Sequence, residues 1–250
     1  MNLGQKIQNL QKKRIAALTA YDYPTARILD EAGVDFILVG DSLGMVFAGN
    51  KDTTSVTMDQ MVYHTEVVSR GVTNALLVSD LPYHAYESVE QALENSQRLL
   101  NAGAEAVKME GGQAVIAQVQ AIVEKEILVV GHIGMLPQQV KEVNGYKKWG
   151  KTAEEAEHLL KDALVLEEAG AIAIVLESIV PDVAREISER LRIPTIGIGA
   201  GSDCDGQISV THDLIGFFPW FCPPFARPKA DMAGTLKQAA ESYIKEIRNI

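Results

Sequence analysis

The 250-residue sequence is poor in cysteine, with only Cys204 and Cys222, and it contains just two tryptophans. Two cysteines cannot build the disulfide framework of a small secreted domain, so we expect free thiols in a reducing cytoplasm. No apolar run approaches the roughly 18 to 20 residues that a membrane-spanning helix needs. The first residues, MNLGQKIQNLQKKR, are polar and basic without an apolar segment, which predicts no secretory signal. These absences predict a globular cytoplasmic protein.

The sequence also has fewer basic than acidic residues. The 23 lysines and arginines face 33 aspartates and glutamates, which gives a formal net charge of −10 at pH 7. This acidic balance argues against nucleic acid or an anionic membrane as the main partner. The length suits either two small domains or one α/β barrel of about 250 residues. No linker-like stretch or shift in composition marks a boundary, so we expect one catalytic domain over residues 1–250.

Short apolar runs alternate with amphipathic segments along the chain, which predicts parallel βαβ units. Most of these runs are continuous, as expected for strands that are covered on both faces. Eight strands are predicted, over residues 15–21, 36–40, 75–80, 106–110, 127–132, 172–177, 195–199 and 207–211. This pattern favours an α/β fold, a (β/α)8 barrel preceded by an N-terminal helix within residues 4–13. A doubly wound open sheet is the alternative.

Helical periodicity fills several of the connections between strands. Segments 24–33, 87–103 and 152–170 each end on a glycine suited to a left-handed C-cap. Thr152, with Glu155 three residues later, has the pattern of a capping box. His64 and His158 are expected on helix surfaces. The connections 42–57 and 133–151 show no clear periodicity, and long loops of this kind are usually functional.

Ionisable residues stand at the carboxyl ends of five successive predicted strands. They are Asp41, Asp80, Glu110, His132 and Glu177. In a barrel these strand ends converge on one mouth, which is where barrel active sites are built. Lys108 lies two residues before Glu110 and therefore points to the same side of its strand. A lysine inside an apolar strand needs an opposite charge, which these carboxylates supply.

Three carboxylates at one mouth predict a metal site. Asp41, Asp80 and Glu110 cannot share a small site as bare anions without strong repulsion, and a divalent cation resolves that conflict. Ligation by oxygen alone suits Mg2+, with Mn2+ or Co2+ as substitutes. Glu177 ends an apolar strand, where desolvation raises the pKa of a carboxyl and suits it to general base catalysis. Taken singly, each acid also fits a structural role as a turn residue, a helix cap or half of a salt bridge, and His132 fits a buried hydrogen-bonded imidazole.

The motifs also occur in an order that resembles one family. TAYD at 19–22, GDSLGM at 40–45, VKMEGG at 107–112 and IGIGAG at 196–201 are similar to ketopantoate hydroxymethyltransferases. The resemblance extends from about residue 3 to 249. It implies a barrel of the phosphoenolpyruvate-mutase and isocitrate-lyase type, dependence on Mg2+, and a homo-oligomer, often a decamer. It also implies transfer of a hydroxymethyl group from 5,10-methylenetetrahydrofolate to 3-methyl-2-oxobutanoate, giving 2-dehydropantoate in pantothenate biosynthesis.

The resemblance carries roles to matching residues. Three positions resemble the family's metal site: Asp41, Asp80 and Glu110, the last directly or through a water. Five resemble its contacts to the keto acid: Asp41, Ser42, Asp80, Lys108 and His132. Glu177 resembles its general base, acting either on the C3 proton of the keto acid or on the folate nitrogen. Lys148 and Trp149 depart from the family pattern, on the presumed folate side or at a subunit contact.

Two other functions fit part of the pattern. A carbon–carbon lyase or hydrolase of the same superfamily, acting on a 2-keto or 2-hydroxy acid, would share the three acids and the Mg2+ but ignore folate. The cysteine-bearing KKCG-type loop of those lyases is absent from the sequence. A non-catalytic assembly or binding protein with a retired barrel site is the second alternative. Retention of every acid at the mouth argues against it, because unpaired buried charges destabilise a fold.

Overall fold

The protein is described by a computed structural model that covers residues 1–10, 14–139 and 147–248. Eight parallel strands close into a barrel in chain order. They are β1 Ile15–Thr19, β2 Phe36–Val39, β3 Leu76–Asp80, β4 Ala106–Glu110, β5 Leu128–Gly134, β6 Ala173–Glu177, β7 Thr195–Ile198 and β8 Gly206–Ser209. The predicted (β/α)8 barrel is confirmed, and the open sheet is wrong because the sheet has no free edge.

Helices precede the barrel, alternate with its strands and follow it. The described helices are α1 Leu3–Leu10, α2 Tyr23–Glu31, α3 Leu43–Val46, α4 Met58–Ser69, α5 Val89–Asn101, α6 Ile116–Glu124, α7 Ala153–Glu168, α8 Pro181–Arg190, α9 Thr211–Leu214 and α10 Met232–Arg248. Short 3-10 turns span Gln113–Val115 and Pro137–Gln139. The predicted N-terminal helix is confirmed over residues 4–10 as α1, and its residues 11–13 lie outside the described residues. Residues 140–146 of the second long connection lie outside the described residues.

Local sequence explains where the helices begin and end. Four helices start at a side chain that accepts a hydrogen bond from the backbone N–H three residues on; these caps are Asp22, Thr57, Ser88 and Thr152. The predicted capping box at Thr152 is half formed. Its hydroxyl accepts from the backbone N–H of Glu155, but the carboxylate of Glu155 accepts from the backbone N–H of Lys151, at 2.8 Å, instead of that of Thr152. Gly33, Gly103 and Gly170 adopt φ values of 85°, 106° and 94°, which confirms the left-handed C-caps.

The alternation of side chains along each strand divides the buried apolar residues into two clusters. One lies inside the barrel and includes Phe36, Leu38, Leu76, Val78 and Val130. The other packs the outward-facing residues of the strands, such as Ile37 and Val107, against the surrounding helices. Four site residues lie two or four positions after an inward-facing residue of their own strand and so face the same side: Asp80, Lys108, Glu110 and His132. The chemistry-bearing residues therefore continue the interior rows of the barrel.

The chain divides into two compact units, Met1–Ile208 and Ser209–Ile250. The first holds nearly all of the barrel and every predicted site residue. In the second, the backbone N–H of Lys229 donates to the carbonyl of Leu214 at 2.6 Å, and that of Met232 donates to the carbonyl of Ile215 at 3.0 Å. Among the described residues, no helix is long and apolar enough to cross a membrane.

One surface prediction is wrong. His64 lies in α4, as expected for a helical residue, but it is buried and its Nδ1 lies 2.7 Å from the carbonyl oxygen of Tyr21. The imidazole is therefore held between α4 and the connection that follows β1. His158 in α7 is 66% exposed, which confirms the prediction for that residue.

Candidate active site

The structure brings the predicted site residues together at the carboxyl end of the barrel. Three of them end strands β3, β4 and β6, one lies in β5, and one lies two residues after β2. The strand register places Asp80 beside Lys108 and Glu110 beside His132. Six ionisable residues are 7% exposed or less: Asp41, Asp80, Lys108, Glu110, His132 and Glu177. Such charged groups are rarely buried unless they are paired or hold a ligand.

Opposite charges and an imidazole connect these acids. The Nζ of Lys108 lies 2.5 Å from Oδ1 of Asp80. His132 lies between two carboxylates, with Nδ1 3.5 Å from Oε1 of Glu110 and Nε2 3.3 Å from Oε2 of Glu177. The imidazole therefore links the predicted metal site to the predicted general base.

Each of the three predicted metal ligands has one oxygen held by a backbone or amide donor. Asp80 Oδ2 accepts from the backbone N–H of Asp41 at 3.0 Å, and Asp41 Oδ2 accepts from Nε2 of Gln138 at 2.9 Å. Glu110 Oε2 accepts from the backbone N–H of Gln138 at 3.1 Å. Within the described chain, Oε1 of Glu110 is buried and accepts no hydrogen bond, and Oδ1 of Asp80 faces only the Nζ of Lys108. A buried carboxylate oxygen without a donor, such as Oε1 of Glu110, fits a hard cation such as Mg2+.

The protein does not supply a complete metal cage. Among the described residues, no three His, Cys, Asp or Glu side chains already lie in an arrangement that would hold a metal ion. Mg2+ is usually bound through one or two carboxylates, with waters and substrate oxygens in the remaining positions. The arrangement therefore fits a cation whose coordination a substrate completes.

Burial shifts the pKa of the carboxyl groups upward. Burial raises the pKa of Asp41 well above its usual range, and the charges of Asp80 and Glu110 raise it further. Burial raises the pKa of Glu110 to about 7, although the charge of Lys108 opposes the rise. Burial also raises the pKa of Glu177, against a hydrogen bond from His132. Without a cation, the site holds some of these carboxyls in their protonated form near neutral pH.

The two basic residues shift in opposite directions. Burial lowers the pKa of His132, and the charge of Lys108 lowers it further, so the imidazole is neutral at pH 7. Burial also disfavours the charged form of Lys108, but the carboxylates of Asp80, Glu110 and Asp41 outweigh it and raise its pKa. Lys108 is therefore a permanent cation, and His132 is a neutral hydrogen-bonding group.

Ser42 lies at the same mouth, directly after Asp41 and one residue before α3. Its hydroxyl is 2.8 Å from the hydroxyl of Tyr21, a buried residue of the TAYD motif in the connection after β1. The motif was singled out from the sequence, but no role was predicted for its tyrosine. The contact ties the connection after β1 to the connection after β2.

Two further residues were missed by sequence analysis. Gln138 lies in the 3-10 turn after β5 and contacts both Asp41 and Glu110. The hydroxyl of Tyr86, in the connection after β3, donates to Oε1 of Gln138 at 2.6 Å. The only sequence signal for Gln138 was its place in the long connection 133–151.

Comparison with known proteins assigns the family. The family model of ketopantoate hydroxymethyltransferase matches residues 3–250. The chain belongs to the ketopantoate hydroxymethyltransferase family. It is 50% identical over 240 residues to 3-methyl-2-oxobutanoate hydroxymethyltransferase of Clostridium beijerinckii, covering 95% of this chain and 87% of that one. It is 51% identical over 241 residues to the enzyme of that name from Acetivibrio thermocellus, covering 96% and 85%.

Solved structures share the barrel fold of this chain. Phosphonopyruvate hydrolase matches with a TM-score of 0.69 at 14% identity, over 100% of this chain and 88% of that one. A 2,3-dimethylmalate lyase, described as a member of the phosphoenolpyruvate-mutase and isocitrate-lyase superfamily, matches with a TM-score of 0.63 at 17% identity, over 99% and 86%. The chain therefore belongs to a transferase family and has a barrel fold. The relatives at about 50% identity are named as hydroxymethyltransferases, which does not support the lyase or non-catalytic alternatives.

Proposed function

We propose that this enzyme transfers a hydroxymethyl group from 5,10-methylenetetrahydrofolate to 3-methyl-2-oxobutanoate, giving 2-dehydropantoate for pantothenate biosynthesis. The observation that carries the proposal is the buried cluster of acids, lysine and neutral histidine at the barrel mouth. Relatives at about half identity are named for this reaction. A second support is the family match, which covers residues 3–250. For the same reason, we propose that residues 1–250 work as one catalytic domain.

The proposed metal site uses the three acids. Asp41 and Asp80 would hold Mg2+, with Glu110 bound directly or through a water. A related barrel, phosphonopyruvate hydrolase, was solved with oxalate and Mg2+; that match has a TM-score of 0.66 at 15% identity, over 85% of this chain and 81% of that one. A bound Mg2+ supplies Lewis-acid stabilisation of the negative charge that develops on the ketone oxygen of the substrate.

The chain's own residues perform the proton and charge steps. Glu177 removes the C3 proton of the keto acid, and its raised pKa brings the base closer to neutral pH. His132, 3.3 Å away, orients that carboxylate and contacts the substrate. Lys108 adds positive charge beside the enolate oxygen, which stabilises the transition state. Ser42 completes the contacts to the keto acid.

The remaining bonds form and break outside these residues. The C3 carbon attacks the methylene carbon of the folate and forms the new carbon–carbon bond, while one of the two carbon–nitrogen bonds of that methylene breaks and its nitrogen takes up a proton. Water then adds its hydroxyl to that carbon and a proton to the second folate nitrogen as the second carbon–nitrogen bond breaks, which releases 2-dehydropantoate and tetrahydrofolate. The alternative role for Glu177, at the folate nitrogen, differs in one observable: it leaves C3 exchange independent of Glu177.

An NMR time course in D2O tests the proposal. With keto acid, folate and Mg2+, we expect 2-dehydropantoate to appear, and a chelator should abolish it. With keto acid and Mg2+ alone, we expect exchange of the C3 proton, and Glu177→Gln should slow it by about 100-fold or more. Glu157→Gln, at an exposed position of α7, is the matched control. Normal exchange in Glu177→Gln would move Glu177 to the folate step, and absence of product with folded protein would overturn the proposal.

We also propose a cytoplasmic homo-oligomer, a decamer, with no nucleic-acid or membrane partner. The net charge of −10 supports the exclusion of anionic partners. An exposed apolar stripe on α10, formed by Met232, Leu236, Tyr243 and Ile247, supports assembly, because exposed contiguous apolar surface often marks an interface.

A further inference from the structure

We propose that Gln138 is a positioning residue of this site, which selects the oxygens of Asp41 and Glu110 that face the cation. The inference rests on the proposed Mg2+ dependence and extends it to a residue that the proposed mechanism does not use.

Gln138 hydrogen-bonds through both its side chain and its backbone to groups at the mouth. The residue is 3% exposed and lies in the turn Pro137–Gln139. Its Nε2 donates to Oδ2 of Asp41 at 2.9 Å and to the carbonyl of Leu81 at 3.0 Å. Its backbone N–H donates to Oε2 of Glu110 at 3.1 Å. One residue thereby holds two of the three proposed ligands.

The orientation of the amide is determined by its partners. Both hydrogens of Nε2 are used by acceptors, and Oε1 accepts from the hydroxyl of Tyr86 at 2.6 Å. If the amide turned over, Oε1 would face a carboxylate and a carbonyl, which are both acceptors. Tyr86 therefore supports Gln138, and Gln138 supports Asp41.

These hydrogen bonds decide which oxygens remain for a cation. Gln138 occupies Oδ2 of Asp41 and Oε2 of Glu110, and Oε1 of Glu110 accepts no hydrogen bond among the described residues. Because no complete cage exists within the described chain, the affinity for a cation depends on how these few oxygens are aimed. Partners of metal ligands typically change metal affinity or activity by about 10- to 100-fold.

The test is Mn2+ binding to the full chain without folate, measured by electron paramagnetic resonance of the free ion. Gln138→Met removes the amide but retains a side chain of similar length and the backbone N–H to Glu110. We expect its dissociation constant for Mn2+ to rise about 10-fold or more. Gln139→Met, the same substitution at the exposed neighbouring position, should bind within about twofold of the wild type because Gln139 is not among the donors to these acids.

Thermal unfolding in chelator separates positioning from a merely structural role. If Gln138→Met melts earlier but its folded form binds Mn2+ like the wild type, the inference is overturned. If the variant does not fold, Tyr86→Phe decides, because it removes only the hydroxyl that supports the amide; an unchanged Mn2+ affinity there overturns the inference. If the wild type itself binds no Mn2+, the metal part of the proposed function fails and the inference fails with it.

Discussion

Lys108 offsets only part of the charge of the acids that surround it. Its Nζ is paired with Asp80, while Asp41, Glu110 and Glu177 are also buried at the same mouth. Desolvation makes an uncompensated buried charge expensive, so the site has two ways to balance its anions: protonation or a bound cation. The raised pKa values of the carboxyls favour protonation. The proposed Mg2+ would be the bound cation, and protons and Mg2+ compete for the same carboxylates.

At the scale of one residue, Glu110 should show that competition as a pH dependence of stability. Burial raises its pKa from the ordinary value of 4.5 to about 7, so the folded state binds more protons than the unfolded state between these pH values. The contribution of this group to stability is therefore complete below pH 4.5 and is lost as the pH rises through 7. A glutamine side chain imitates the protonated acid at every pH, so the substitution Glu110→Gln isolates the effect.

In chelator, we expect the stability of Glu110→Gln relative to the wild type to increase by about 2 kcal/mol between pH 5 and pH 8. Urea unfolding at pH 5, 6, 7 and 8 measures the difference. Glu90→Gln is the control. Glu90 is exposed on α5, and hydrogen bonds from its own backbone and from Ser88 lower its pKa below the ordinary value of 4.5. The change in stability with pH therefore has the opposite sign for this variant, and it takes place below pH 4.5. A Glu110→Gln difference that does not change with pH would contradict the role of burial.

At the scale of secondary structure, strand order and strand ends were predictable from local pattern. The predicted strand 106–110 coincides with β4, and the other predicted ends lie within two residues of the observed ones. Continuous apolar runs carry this information because both faces of each strand are buried. The helix α3, inside connection 42–57, was not predicted, because its four residues are too few to show periodicity.

The difference between strand ends and the connections that follow them also explains which site residues could be predicted. A residue at a strand end is recognisable from its own neighbourhood in the sequence, and the barrel then brings the strand ends together. The contact of Gln138 with Asp41 spans 97 residues, and its contact with Tyr86 spans 52. Both depend on how connections fold over the mouth, which no periodicity in the sequence encodes.

Gly134 shows how closely the end of β5 packs against the end of β6. It adopts φ 98°, and an added Cβ would lie 2.2 Å from the carbonyl oxygen of Glu177. Gly33 adopts a similar φ of 85° but has open space around the same position. The two glycines therefore separate backbone strain from steric displacement of the proposed general base.

We expect Gly33→Ala to lower the free energy of unfolding by about 1 to 2 kcal/mol, the cost of a left-handed conformation for alanine. Gly134→Ala should cost at least about 2 kcal/mol more and should also slow C3 exchange, because the carbonyl of Glu177 must move. Urea unfolding and the D2O exchange measurement report the two effects. Equal stability losses in both variants would show that the close approach at Gly134 relaxes without cost.

At the scale of the whole molecule, the overall charge opposes the proposed substrate. The chain carries −10, and a 2-keto acid is an anion, so long-range attraction does not bring it to the barrel. Capture therefore depends on local charge at the mouth, where Lys108 and the proposed cation lie. We therefore expect specificity for the keto acid to come from contacts at the mouth and not from the net charge of the chain.

An exposed stripe on α10 is the strongest candidate for an assembly contact. Met232, Leu236, Tyr243 and Ile247 follow each other at helical spacing on one face of Met232–Arg248, and all four are more than 40% exposed. No residue within this helix is buried in the chain. Water contact along such a stripe is unfavourable, and burial against another copy of the chain would remove it.

Sedimentation velocity tests this contact. For a decamer we expect a mass ten times the 27.2 kDa of one chain. Leu236→Glu places a charge in the stripe and should shift the distribution to smaller species, because an unpaired charge is costly in an apolar interface. Gln238→Glu adds the same charge on the opposite face of the helix and should leave the assembly intact. Loss of assembly in both variants would point to overall charge repulsion, and a monomeric wild type would remove the proposed decamer.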